Sequence, residues 1–242
     1  MRGTIIDLHM HTVRGAYDSG LQPEDLVAEA RRIGLTGVAI TEHDRLWERH
    51  SLAAFRAENE DLLVENGMEV STDLGHVIAV GLPSLVSGIH RIARLREVAD
   101  EVGGYLIAAH PFRHWTDAIY FSRQGKPQVD LSPEHLATLP VFEYVDALEV
   151  LNGATPPAEN LLAAQVAELL GKPGAGGSDC HSKQGIGYYC TVFEKAIESS
   201  AMLLSELRAG RFAPGHGLPA GTLQLLSEAP LILDPITPTI YP

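Results

Sequence analysis

Apolar, β-branched runs alternate with segments of helical periodicity along most of the chain. The runs predict strands at residues 4–8, 37–41, 62–70, 76–82, 105–109, 146–151, 174–177 and 189–193. The segments between them predict helices at residues 23–33, 47–59, 87–102, 157–170 and 199–209. Repeated β–α units of this kind favour an α/β protein with a parallel sheet, either open or closed into a barrel.

Two segments depart from this alternation. Residues 112–140 carry aromatic and charged side chains without periodicity, and we expect an irregular, lid-like insertion there. The tail after Gly210 is rich in Pro and Gly, and we expect it to be irregular and to pack on the surface. The prediction is therefore one domain over residues 1–210, with residues 211–242 packed against it.

Composition narrows the class of protein. The chain has 242 residues, enough for one large domain, and no apolar run reaches the length of a membrane span. A formal net charge of −13 argues against a broad nucleic-acid-binding surface. Two cysteines give no disulfide framework, and no signal-peptide pattern precedes the first strand, so we expect a cytoplasmic protein.

Polar side chains lie where the predicted strands end. His9 and His11 close the first strand and, being two residues apart, point to one face of it. Functional sites of α/β sheets sit at the carboxyl ends of the strands, so we expect such residues to meet. The candidates at or beside strand ends are His9, His11, Asp18, His43, Glu69, His76, His110, Asp179 and His181.

This donor set predicts metal binding. Imidazole and carboxylate together suit zinc, manganese and iron, and nine candidates are too many for one ion, so we expect two or three divalent ions, with Glu69 able to bridge two. Singly, each residue has a structural alternative: a strand-end histidine can belong to the core, and Asp179 can cap a helix. Their recurrence at matching positions favours the metal site.

The motifs that carry these residues together resemble the polymerase and histidinol phosphatase (PHP) family. They follow one another in the family's order over about residues 4–187. The matching stretches are Asp-Leu-His-Met-His-Thr at 7–12, Asp-Ser-Gly-Leu-Gln-Pro-Glu-Asp-Leu at 18–26, Ile-Thr-Glu-His-Asp at 40–44, Gly-Met-Glu at 67–69, Ala-His-Pro at 109–111 and Gly-Ser-Asp-Cys-His-Ser at 177–182.

The resemblance implies a single-domain, distorted (β/α)7 TIM-like barrel and a metal-dependent phosphoesterase. It implies three ligand groups: His9, His11, Glu69 and Asp179; His43, His181 and Asp18; and Glu69, His76 and His110. Two features depart from the family pattern. Glu42 stands where Asp is common, and the spacing from His11 to Asp18 is longer than usual.

The mechanism expected for such a site is in-line attack of a metal-activated hydroxide on phosphorus. Asp44 is a candidate acid for the leaving group or a partner that orients a ligand imidazole. Arg113, and after it Arg14, are the candidates for a guanidinium that binds phosphate. Glu149, at the end of the strand over 146–151, is a further candidate for a metal ligand or a substrate contact, and Asn152 is a candidate for a substrate contact.

Two other functions compete with a phosphoesterase acting on a small phosphorylated molecule or a short nucleotide. One is a barrel amidohydrolase or deaminase, which also begins with His-x-His but often needs a carboxylated lysine, and no lysine here lies at a predicted strand end. The other is a non-catalytic metal-binding domain, which the near-complete ligand set disfavours. Long nucleic acid and membranes are not expected as partners.

Overall fold

A computed structural model describes residues 3–117 and 130–229. The described residues form ten strands: β1 (Ile5–Met10), β2 (Gly37–His43), β3 (Leu63–Thr72), β4 (Gly75–Val80), β5 (Tyr105–Ala108), β6 (Ala147–Asn152), β7 (Gly174–Gly177), β8 (Tyr189–Phe193), β9 (Phe212–His216) and β10 (Gln224–Leu225). The α-helices are α1 (Pro23–Ile33), α2 (Arg49–Glu58), α3 (Ile92–Val102), α4 (Pro133–Leu136), α5 (Pro157–Leu170) and α6 (Ser200–Arg208). Among these helices, none is long and apolar enough to cross a membrane.

Helix bounds are predicted correctly where capping and end residues mark them clearly in the sequence. Helix α1 has Pro23 in its first turn, acidic residues beside it, arginines in its last turn and Gly34 in the left-handed conformation as its C-cap. The predicted bounds of α1 and α5 are confirmed. Helices α2 and α3 begin at Arg49 and Ile92, later than predicted.

The ten strands make one mixed sheet in the order β10-β9-β8-β1-β2-β3-β4-β5-β6-β7. Strands β1, β2 and β3 are parallel, as are β5, β6 and β7, but β4 runs antiparallel to both β3 and β5. The expected parallel pairing is therefore present in these two sets of strands but not at β4. Only residues 73–74 separate β3 from β4, and a parallel connection needs a crossover of a dozen residues or more.

The sheet curls so that the chain after β7 reaches β1. The Asp179 N–H donates to the His9 carbonyl at 2.7 Å, and the His11 N–H donates to the Cys180 carbonyl at 3.1 Å. The buried Asp7 carboxylate accepts the Ser178 N–H at 2.8 Å and the Gly187 N–H at 3.0 Å. We call this contact between β1 and residues 178–187 the seam. The α/β class and the barrel-like curvature agree with the expectation, with ten mixed strands in place of seven repeated β/α units.

Residues 211–229 differ from the expected irregular tail, and the rest of that tail, residues 230–242, lies outside the described residues. Strand β9 pairs antiparallel with β8 from Tyr189↔His216 to Phe193↔Phe212, and β10 pairs with β9. The local pattern is weak because Pro214 and Gly215 interrupt it, but pairing with a neighbouring strand supplies the order that propensity does not.

The expected insertion is described only at its ends. Residues 111–116 form hydrogen-bonded turns, and α4 and a 3₁₀ helix at Pro140–Glu143 lie on its other side. Phe112 and Leu136 from these ends are buried in the core, packed with residues of α3 and α5. The prediction of a lid concerns residues 118–129 as well, which lie outside the described residues.

Candidate metal centre

The nine predicted ligands meet at one edge of the curled sheet. His9 and His11 arrive from β1, His43 from the end of β2 and Glu69 from within β3, while His110, Asp179 and His181 follow β5 and β7. His76 is the second residue of β4, and because β4 is reversed, its start lies at the same edge as the ends of its neighbours. Asp18 lies in the loop after β1 and reaches the same cluster.

Glu69 is the centre of the cluster. Its Oε1 lies 2.9 Å from His76 Nδ1 and 2.9 Å from His110 Nε2. Its Oε2 lies 2.9 Å from His43 Nδ1, 3.4 Å from His11 Nε2 and 3.6 Å from His9 Nε2. One buried carboxylate therefore faces five imidazoles, with a different set at each oxygen.

A second group lies on the more exposed side of His11. The His11 ring stacks on His43 with centroids 4.2 Å apart and on His181 with centroids 4.4 Å apart. Asp18 Oδ2 lies 3.4 Å from the Nε2 atoms of both His43 and His181. The long spacing from His11 to Asp18 is thus compatible with a carboxylate that joins this group.

Asp179 closes the cluster on the side of β7. Its Oδ1 lies 3.2 Å from His11 Nε2 and 3.5 Å from His9 Nε2. Its Oδ2 contacts Arg113 Nη2 and accepts an Asn152 Nδ2 hydrogen bond at 3.2 Å. Donor atoms of four sets lie close enough to share an ion: His9, His11 and Glu69; His9, His110 and Asp179; His11, His43 and His181; and Glu69, His76 and His110.

The electrostatics of the cluster favour cations. Burial disfavours charge on His9, but the negative charges of Asp179, Glu149 and Glu69 outweigh it and raise the His9 pKa well above its usual value. Burial likewise opposes ionisation of Glu69 and Asp179, yet their imidazole partners hold both pKa values well below the usual range. Burial lowers the pKa of His11 to about 4.

Three residues at this edge have backbone conformations that side chains rarely adopt. Asp44, His110 and Asp179 have φ angles of 50°, 28° and 52°. Each follows a strand directly or within two residues, so the left-handed turn redirects the chain just where it presents the cluster. Positive φ at non-glycine residues costs free energy and concentrates at functional sites.

Not all of the residues predicted to contact the substrate lie at the cluster. Arg113 Nη2 donates to Asn152 Oδ1 at 2.9 Å and contacts Asp179, so both Arg113 and Asn152 lie at the cluster. Glu149 is also there, beside His9. The Arg14 guanidinium lies over the Trp47 ring, 4.5 Å from the centroid, and its role in phosphate binding stays a prediction. Arginine favours aromatic faces, and the loop turns the side chain that way.

Two acidic residues near the site have structural partners. Asp44 Oδ1 accepts the Ser71 N–H at 2.8 Å and lies 3.6 Å from His90 Nδ1, so its contacts are not with the ligand imidazoles. Glu42 accepts hydrogen bonds from Thr12 and, at 2.8 Å, from Trp47 Nε1. Glu42 is therefore bonded to Thr12 and Trp47 rather than to the predicted ligands.

Glu159 was missed by sequence reasoning. It is buried in the first turn of α5 and accepts the His114 N–H at 3.0 Å, the Thr116 N–H at 2.9 Å and the Thr116 hydroxyl at 2.8 Å. These bonds hold the loop that carries Arg113. An acidic residue in a first helical turn is ordinary, so the sequence offers no distinguishing signal.

The residues present fit metal ions. His11 Nδ1 is buried without a hydrogen-bond partner, and so is Glu69 Oε2, whose 2.9 Å contact with His43 Nδ1 lacks hydrogen-bond geometry. The buried carboxylates of Glu69, Asp179 and Glu149 bring three negative charges, more than Arg113 and a protonated His9 together compensate. Uncompensated buried charge is costly, and a mixed set of imidazoles and carboxylates suits zinc, manganese and iron.

Comparisons with known proteins agree with this geometry. The PHP domain family model matches residues 7–136, and a PHP-associated family model matches residues 157–212. The error-prone DNA polymerase of Cutibacterium acnes (strain DSM 16379 / KPA171202) is 29% identical over 141 residues, which are 54% of this chain and 11% of the polymerase. The chain therefore spans only a small part of that relative's length.

Solved structures share the fold. PsfC from Pseudomonas syringae PB-5123 has a TM-score of 0.61 and 18% identity, covering 91% of this chain and 95% of that chain. A two-domain protein from Bacteroides vulgatus ATCC 8482 that contains a predicted PHP-like metal-dependent phosphoesterase has a TM-score of 0.60 and 23% identity, covering 88% of this chain and 64% of that chain. At these identities the likeness shows the fold alone.

Proposed function

The chain belongs to the PHP family, and from this premise we propose that it is a metal-dependent phosphoesterase. Its substrate in this proposal is a phosphate ester of a small molecule or a short nucleotide. The observation that carries the proposal is the Glu69 carboxylate, whose two oxygens face five imidazoles. A carboxylate with different imidazoles at each oxygen is the arrangement expected of a bridge between ions.

The proposed ligands form three groups around two or three ions of zinc, manganese or iron. His9, His11 and Asp179 share one group with Glu69, and His76 and His110 share another with it. The third group consists of His43, His181 and Asp18. When bound, such ions lower the pKa of a coordinated water and neutralise phosphate charge.

Arg113 is our candidate for binding a phosphate oxygen. Its Nη2 is fixed by Asn152 and Asp179, and its Nε lies 3.4 Å from Thr155 Oγ1. Among the described residues, Nη1 makes no hydrogen bond. A guanidinium anchored on one side beside a metal cluster can donate its other N–H groups to an anion in a defined direction.

Asp44 is our candidate for protonating the leaving group. It follows β2 beside His43, and its Oδ1 is held by the Ser71 N–H, which leaves Oδ2 without that restraint. The net charge of −13 disfavours a long nucleic acid as substrate, so a compact anion that enters the cluster fits better. The polymerase activity of the curated relative belongs to a much longer protein and is not part of this proposal.

The test measures metal content and hydrolysis on the same sample. Protein purified without chelator or histidine tag is analysed for metals and assayed with p-nitrophenyl phosphate and bis-p-nitrophenyl phosphate. We expect two to three ions per chain, and we expect His9→Ala to lose metal and to reduce hydrolysis at least 100-fold, because a ligand is removed. The ratio of monoester to diester hydrolysis narrows the substrate class.

His50→Ala is the matched control, since His50 lies on the exposed surface of α2. It should keep wild-type metal content and rates. Full metal occupancy without hydrolysis of either ester would overturn the phosphoesterase. No bound metal after reconstitution with zinc, manganese or iron would overturn the metal centre itself.

A further inference from the structure

Strand β6 brings Glu149 to the cluster, and this buried carboxylate already accepts hydrogen bonds from three donors. Glu149 is 1% exposed. Its Oε1 lies 3.0 Å from His9 Nδ1, and its Oε2 accepts the His110 N–H at 2.9 Å and an Asn152 Nδ2 hydrogen bond at 2.9 Å. Three N–H donors therefore surround the carboxylate.

The contact with His9 defines how that imidazole is oriented. Glu149 is an acceptor, so this contact favours a proton on His9 Nδ1, and in the neutral imidazole it selects the tautomer whose lone pair is on Nε2. That Nε2 is the atom that lies 3.5 Å from Asp179 Oδ1 and 3.6 Å from Glu69 Oε2. Because Nδ1 and Nε2 lie on different sides of the ring, Glu149 approaches His9 from outside the cluster.

We propose that Glu149 is a positioning residue that fixes the tautomer and ring orientation of His9 and the backbone of His110, rather than a ligand or a substrate contact. Direct coordination by Glu149 would compete with its hydrogen bonds to His9 Nδ1 and the His110 N–H, which have no other acceptor among the described residues. Carboxylates that accept the second N–H of a ligand histidine raise its basicity and hold its orientation.

Asn152 extends this network to a second predicted ligand. Its Nδ2 lies between Glu149 Oε2 and Asp179 Oδ2, and its Oδ1 accepts Arg113 Nη2 at 2.9 Å. His9 and Asp179 come from opposite sides of the seam. Strand β6 thus sets their relative position without supplying a ligand of its own.

The experiment compares wild type, Glu149→Gln and the control Glu65→Gln. Glu65 is a buried carboxylate on β3 whose ion-pair partner is Arg56, outside the cluster. Zinc dissociation constants are measured by competition with a chromophoric chelator. We expect Glu149→Gln to raise the dissociation constant of one zinc ion about 10- to 100-fold. We expect Glu65→Gln to leave all zinc dissociation constants within about twofold of those of the wild type.

A second readout separates positioning from ligation. In the cobalt(II)-loaded protein, an imidazole that binds through Nε2 shows its Nδ1 proton as a paramagnetically shifted, solvent-exchangeable proton resonance. We expect Glu149→Gln to shift that resonance or speed its exchange while the d–d spectrum keeps the wild-type coordination number. An altered coordination number with the resonance unchanged would make Glu149 a ligand and overturn the inference.

The inference rests on the proposed metal centre, and the two can fail separately. If wild type binds no zinc or cobalt, the proposed function fails. If wild type binds them and Glu149→Gln binds them with unchanged constants and an unchanged resonance, only the role of Glu149 is overturned.

Discussion

The two carboxylate oxygens of Glu69 contact different imidazoles, five in all, and this distribution distinguishes a metal site from an ordinary ion pair. His76 and His110 lie at Oε1, whereas His9, His11 and His43 lie at Oε2. A single imidazole partner would suit an ordinary buried ion pair. Five partners exceed the roughly four lone-pair positions of one carboxylate, and this arrangement favours the binding of cations between them.

At the residue scale, Glu159 offers a test of how Arg113 is held. Glu159→Gln removes the charge from an acceptor of three hydrogen bonds, so we expect a loss of about 1–3 kcal/mol in the free energy of unfolding. We also expect a severalfold higher KM for phosphate esters with a smaller change in kcat, because the loop that carries Arg113 loosens. Chemical denaturation and steady-state kinetics measure the two effects.

The control for this variant is Glu168→Gln, which lies on the exposed face of the same helix. It should change neither the unfolding free energy nor KM. Equal effects in both variants would show that the helix, rather than the held loop, is responsible.

Sequence reasoning identified the residues of the cluster because they lie at or beside the ends of predicted strands. Within a strand, side chains two residues apart also point to the same face. All nine predicted ligands are brought to one edge. Arg14 illustrates what the sequence does not contain: it follows a strand, yet its side chain turns to Trp47. Side-chain direction in a loop depends on contacts distant in sequence, and Glu159 acts through such contacts.

At the scale of elements, β7 shows why a strand of sequence Gly-Ala-Gly-Gly is needed. A Cβ at Gly176 would lie 2.4 Å from the Cys190 carbonyl oxygen, and one at Gly177 would lie 2.5 Å from His9 Cβ. The sequence predicts a short strand of small residues here. The structure shows why these residues are small: β8 and β1 pack closely against β7 from two sides.

Gly177→Ala tests this close approach. The new methyl group would also lie 2.7 Å from Glu149 Oε1, so we expect the seam to shift, with a loss of about 1–3 kcal/mol in the free energy of unfolding. We expect weaker metal binding too, because His9 moves. Thermal unfolding and chelator competition provide the measurements.

Gly20→Ala is the matched control, since a Cβ there would meet only the His181 carbonyl oxygen, at 3.9 Å. Wild-type stability and metal affinity in Gly177→Ala would contradict the claim that backbone contact at β7 requires glycine.

At the scale of the whole molecule, the α/β alternation predicts the class and most elements, but the reversal of β4 and the pairing of β9 with β8 were not predicted. Both depend on partners rather than on local pattern. A two-residue turn between two apolar runs indicates a hairpin, and that turn overrides the parallel order suggested by the helices. The tail becomes strand because β8 offers a free edge.

Metal ions should stabilise the whole fold, since their predicted ligands come from β1 through the segment after β7. A ligand that binds only the native state adds about 2.7 kcal/mol at 100 times its Kd. For a chain of this size we expect Tm to rise by roughly 5–10 °C with zinc or manganese and to fall again with chelator. Calorimetry of wild type and His9→Ala checks this, and equal shifts in the two proteins would contradict it.

The seam also fixes the order in which the site can be assembled. The bond from the Ser178 N–H to Asp7 joins residues 171 positions apart, and contacts of such separation form late because loop closure is entropically costly. A growing chain that has reached β6 already holds the two Glu69-centred sets, His9–His11–Glu69 and Glu69–His76–His110. The sets that need Asp179 or His181 wait for the last third of the chain. Metal capture should therefore proceed in two stages during synthesis, with Glu69 present at the first and the seam completing the second.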